Sequence, residues 1–165
     1  MTRTLLISLT ALTLAACGFK PMYGQRAESP AVTQALASVE VAPIEDRLGQ
    51  LVRTALSDRL TPGGGPNSPR YTLKVSVIEE REDVGIRQDA SITRANYRLS
   101  AKFDLVEVES DTVLITGTTW SQTAFDVVQQ DFATVTAEQD AQRRLAGEVA
   151  DEIAARLAIY FDREQ

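Results

Sequence analysis

The chain contains no histidine and only one cysteine among its 165 residues. One cysteine cannot close a disulfide within the chain, and without histidine the usual structural zinc patterns lack a ligand set. Nucleophile–imidazole catalysis is equally out of reach. An enzyme built on this chain would have to work with carboxylates, lysine or tyrosine alone, and no carboxylate pair stands in a recognisable active-site context. The composition therefore points to a non-enzyme with no cofactor and no metal. Basic residues are also scarce, 17 Lys and Arg against 23 Asp and Glu, for a formal charge of −6. That sign argues against nucleic acid and against a general electrostatic grip on anionic membranes. No hydrophobic run reaches the roughly 20 residues of a good transmembrane helix. What is present, 44% hydrophobic residues, suits one domain with a modest core.

The N-terminus carries one basic residue, Arg3, and then LLISLTALTLAA, an apolar stretch interrupted by Ser8, Thr10 and Thr13. This is the pattern of a secretory signal peptide. Cys17 follows the small residues Ala15 and Ala16 at once, and Leu14-Ala15-Ala16-Cys17 resembles the bacterial lipobox. In that motif the cysteine takes a diacylglyceryl thioether and becomes the first residue after cleavage. Residues 1–16 are thus expected to be removed and Cys17 to be lipidated. Each buried methylene contributes about 0.8 kcal/mol, so two or more acyl chains hold a protein at a membrane where one does not. Gly18 rather than aspartate follows the cysteine, which favours the outer membrane by the rule known in enteric bacteria.

Residues 17–37, rich in Gly, Pro, Ser and Ala, read as the lipidated cysteine and a flexible tether. A single domain over 38–165 follows. SVEVAPI (38–44) alternates as a short strand, and Leu48, Leu51, Val52, Ala55, Leu56 and Leu60 recur at helical spacing. TPGGGPNSP (61–69) cannot continue that helix. Tyr71, Leu73, Val75 and Val77 alternate with polar residues as a second strand, and the charged run over 79–89 reads as a solvated hairpin tip. A third strand over 94–108 puts Ala95, Tyr97, Leu99, Ala101, Phe103 and Leu105 on one face, as a half-buried antiparallel strand does. ESDT (109–112) turns into a fourth strand over 113–127. Thr136 with Gln139 fits a capping box for a final helix, whose apolar stripe runs from Leu145 to Phe161. Gly147 inside it suggests close packing against the sheet. The order is β-α-β-β-β-α. A right-handed crossover makes the first two strands parallel. The expected fold is α+β, a two-layer sandwich with a four-stranded mixed sheet and two amphipathic helices on one face.

CGFKPMYG (17–24), RANYRLSAKFDL (94–105), the segment from Phe125 to Phe161 and this strand order resemble the lipopolysaccharide-assembly lipoprotein family LptE, in its alphaproteobacterial form. The resemblance spans nearly all of the mature chain. It implies an outer-membrane, lipid-anchored protein whose domain faces the periplasm or sits inside the lumen of a partner barrel, LptD. It also implies a part in inserting lipopolysaccharide into the outer leaflet. The acidity of the chain departs from what an anionic ligand favours. An alternative function is an auxiliary lipoprotein of a periplasmic lipid-trafficking ABC transport system.

Arg94, Arg98 and Lys102 fall on the wet face of the third strand, successive charges about 13 Å apart at roughly 3.3 Å per residue. Lys74 can join them from the neighbouring strand. These four are the candidates for lipopolysaccharide or barrel contact, with Arg suited to bidentate phosphate binding; the competing account is a solvated face that resists edge aggregation. Glu79, Glu80, Glu82 and Asp83, interrupted by Arg81, read as a solvated loop rather than a cation site. Trp120 reads as core or interface rather than as a sugar-stacking platform.

Overall fold

The computed structural model describes residues 30–86, 92–127 and 131–164; the expectations for the signal segment, for Cys17 and for the tether as far as Ser29 lie outside them. The elements are α1 (Pro30–Ala37), β1 (Val39–Val41), α2 (Asp46–Leu60), β2 (Tyr71–Ile86), β3 (Ile92–Glu107), β4 (Thr112–Asp126) and α3 (Asp131–Arg163). The sheet order is β1-β2-β3-β4, with β1 parallel to β2 and the other pairs antiparallel. The expected mixed sheet, two-layer α+β class and β-α-β-β-β-α order are therefore all present, preceded by one further helix.

The core follows the alternation of β3. Ala95, Tyr97, Leu99, Ala101, Phe103 and Leu105 are all buried, and they share one cluster with Leu48, Val52 and Leu56 of α2 and Leu145, Val149, Ile153 and Leu157 of α3. Tyr71 extends that layer, its ring tilted against Phe161 with centroids 5.1 Å apart. Gly117 of β4 lies under the Phe103 ring, where any Cβ would collide. The aromatic side chain therefore needs glycine at this point of the neighbouring strand.

Four expectations are corrected. Residues 30–37, placed in the tether, form α1: Pro30 sits at the first helical position, where its missing N–H costs nothing, and Val32 and Leu36 are buried one turn apart. This short helix persists because it packs against α3. The charged run after Glu79 is strand as far as Ile86, paired from Glu79↔Leu99 to Ile86↔Ile92. Its helix-facing charges have partners: Glu79 accepts from the Tyr97 hydroxyl, and Arg81 reaches Asp83 at 3.0 Å and Glu138 of α3 at 3.5 Å. The final helix begins at Asp131, so Thr136 lies inside it and its Oγ1 donates to Phe132 O at 2.9 Å, the back-bonding typical of a helical threonine. Gly147 faces α2 rather than the sheet, for a Cβ there would have Arg59 Nη2 as its nearest neighbour, at 3.6 Å.

Candidate functional site: the open face of the sheet

Both long helices lie on the inner face, which leaves the outer face of β2, β3 and β4 open. Register sets this face out in rows across the three strands: Lys74–Asp104–Thr116, Ser76–Lys102–Thr118, Ile78–Ser100–Trp120 and Glu80–Arg98–Gln122, with Glu82–Asn96–Ala124 and Val84–Arg94–Asp126 beyond them. All four sequence-nominated cations therefore share one surface. Lys74, Arg94 and Lys102 are exposed, whereas Arg98 is half-buried. Register also does what the β3 sequence alone does not show, setting Asp104 beside Lys74, Glu80 beside Arg98 and Asp126 beside Arg94. Lys102 has neutral neighbours, Ser76 and Thr118.

Among the described residues none of these cations is held in an ion pair: the six ion pairs involve Arg59, Arg81, Arg143, Arg144 and Arg156, and none involves Lys74, Arg94, Arg98 or Lys102. Asp104 instead accepts a hydrogen bond from Thr116 Oγ1 at 2.6 Å. Arg98 stacks on Trp120, its guanidinium carbon 4.2 Å from the ring centroid. Its Nε is covered and has no acceptor among the described residues, an unfilled donor of a kind that is rare in folded proteins.

Trp120 is 57% exposed, so it is not a core residue. Its chain neighbour Thr119 faces inward and is buried, because α3 comes close to β4 there. The Ser121 hydroxyl bonds to Glu148, and Arg156 Nη1 donates to Thr118 O at 2.8 Å. Ile78, in the Trp120 row, is 65% exposed, so an apolar ledge crosses a polar face. The acid run divides between the two faces, Glu80 and Glu82 outward, Glu79 and Asp83 toward α3. Among the described residues no group of three or more ligating side chains converges on a cation position.

Two features were not legible beforehand. On the inner face, Tyr97 OH donates to Glu79 and accepts from Gln142 Nε2 at 3.0 Å, tying β2, β3 and α3 together. Burial, and then the Glu79 carboxylate, push the phenol up to about 12. On the outer face, Glu80, Arg81, Glu82, Asn96, Arg98 and Gln122 line a concavity of about 430 Å³. Asn96 and Gln122 carried no stronger signal in the sequence than any polar residue on a wet strand. Among the described residues no helix is long and apolar enough to cross a membrane.

The chain is similar to the crystal structure of a candidate lipoprotein from Caulobacter crescentus CB15, at 31% identity and a TM-score of 0.67, covering 79% of this chain and 96% of that one. It shares its fold with the rare lipoprotein B of Shewanella oneidensis, at 12% identity and a TM-score of 0.55, covering 77% and 98%. An uncharacterised protein of Rickettsia prowazekii is 23% identical over 151 residues, 92% of each chain. The class is that of small bacterial lipoprotein domains. Within that class, the model of the lipopolysaccharide-assembly family LptE matches residues 35–157, and the chain belongs to that family.

Proposed function

We propose that this chain is an outer-membrane lipoprotein, held by acyl chains on Cys17, that assembles with the LptD β-barrel, plugs its lumen and takes part in passing lipopolysaccharide to the outer leaflet. Its contribution is binding rather than bond-making. Family membership supports the assembly role. The observation that carries the site is the open sheet face, on which Lys74, Arg94, Arg98 and Lys102 lie together outside every ion pair among the described residues. Lipid A phosphates and acidic inner-core sugars are natural acceptors for such groups, and arginine adds bidentate geometry. The test is to reverse Arg94, Arg98 and Lys102 to glutamate and measure both lipopolysaccharide binding by the purified protein and co-purification of the barrel from detergent-solubilised outer membrane. Loss of either is the expected result; both unchanged sinks the proposal. Lipidation is checked separately, by mass spectrometry of the mature N-terminal peptide and its absence in Cys17→Ala.

A further inference from the structure

The concavity beside Arg98 differs in chemistry from the cationic strip it adjoins. Three strands build it, with Glu80 and Glu82 from β2, Asn96 and Arg98 from β3, and Gln122 from β4. Ala124 opposite Asn96 contributes only a methyl group, which keeps that side low. A volume of about 430 Å³ lies within the range of small-molecule sites. Two carboxylates and the Arg98 guanidinium border it, the Arg81 side chain being turned to α3 and paired there with Asp83 and Glu138, so the concavity keeps a slight excess of negative charge and does not match a polyanion. Its planar side chains offer donors from the amides and guanidinium and acceptors from the amides and carboxylates. Hydroxyl groups, which donate and accept at once, are what such a mixture satisfies.

The adjoining row supplies the other half of the recognition. Trp120 and Ile78 are more than half exposed and lie in one row across the sheet, and Arg98 links them to the concavity by stacking on Trp120. A sugar ring has the matching character, C–H faces that pack on an aromatic or aliphatic surface and a rim of hydroxyls. We infer that this concavity is a saccharide subsite that takes an uncharged, hydroxyl-bearing part of a glycolipid's sugar chain, with Trp120 and Ile78 as its apolar ledge. The inference rests on the lipopolysaccharide-assembly reading and deepens it. Sugars then fall to the concavity at Arg98, and phosphates to Lys102 and Lys74 on one side of it and Arg94 on the other.

Trp120 is the only tryptophan in the chain, so emission excited selectively in tryptophan, at the red edge where tyrosine does not absorb, reports on this site. The full-length chain in detergent is titrated with delipidated, dephosphorylated core oligosaccharide and, in parallel, with inorganic phosphate and with intact lipopolysaccharide. The expected result is a saturable change with the oligosaccharide and none with phosphate. Asn96→Ala and Gln122→Ala should each weaken that response about tenfold, with circular dichroism confirming that both variants are folded. If intact lipopolysaccharide binds while the oligosaccharide is silent, the subsite is wrong and the broader reading stands. If phosphate alone reproduces the change, the concavity is an anion site and the inference fails. If neither glycan binds, subsite and broader reading fall together. An oligosaccharide response unaltered in both variants also overturns the assignment.

Discussion

The Arg98 guanidinium rests on Trp120, 4.2 Å from the ring centroid, and neither group enters the core. The pair is therefore separable from folding. Exposed cation–π contacts are worth about 0.5–1 kcal/mol, so Trp120→Ala should lower unfolding free energy in urea by no more than about that amount. Calorimetric affinity for lipopolysaccharide should drop in the same variant. A large loss of stability would show that Trp120 serves the fold instead.

The glycines of β4 and α3 should respond in opposite senses. At Gly117 a Cβ would fall 2.7 Å from Phe103 Cε1 as well as closer to the ring edge, so Gly117→Ala should destabilise the domain by about 1–3 kcal/mol, the usual cost of overpacking. At Gly147 the nearest atom, Arg59 Nη2, is at ordinary contact distance, 3.6 Å. Gly147→Ala should therefore stabilise by up to about 1 kcal/mol, the helix-propensity difference. Paired chemical denaturation curves decide both.

Tyr97 makes stability sensitive to alkali. Its folded pKa, about 12, lies above the ordinary tyrosine value of about 10, so the fold favours the neutral phenol. The stability it contributes is complete below pH ~10 and is lost as pH rises through about 12. Ultraviolet titration should show one tyrosine ionising near 12, missing in Tyr97→Phe. That variant should also be weaker at neutral pH by roughly 1–3 kcal/mol, since Glu79 and Gln142 lose their shared partner.

Helix α1 should behave as part of the domain rather than as a leash. Leu36 is 6% exposed, and Leu36→Ala should cost about 2–5 kcal/mol, as buried leucine truncations do. Thermal unfolding measures the loss; an unchanged midpoint would return residues 30–37 to the tether.

How much of this was legible depended on whether the partner of each residue was local. Strand β3 was plain because its two faces alternate without interruption, and Phe103 and Leu105 continue what Ala95 and Tyr97 begin. Helix α1 was missed because its eight residues hold only two large apolar side chains, Val32 and Leu36, too short a stretch to establish a period, and only α3 makes them a helix face. The extension of β2 was missed because Glu79 and Arg81 look solvated until Tyr97 and Glu138 are set beside them. The four cations could be named from sequence, but Asp104, Glu80 and Asp126 lie far along the chain from Lys74, Arg98 and Arg94 and meet them only through register. Trp120 stood one residue from the inward-facing Thr119, and alternation alone could not say which of the two the helix would cover.

The contact between α1 and α3 joins the first described element to the last, and it bears on how the domain comes into being. A chain that emerges N-terminus first holds the apolar faces of α1, α2 and the sheet open until the 33 residues of α3 arrive. Non-local closure of this kind slows folding and prolongs exposure of sticky intermediates. Stopping before Leu157 would strip that residue and Phe161 from a core to which both belong. The core is thus incomplete until the end of delivery.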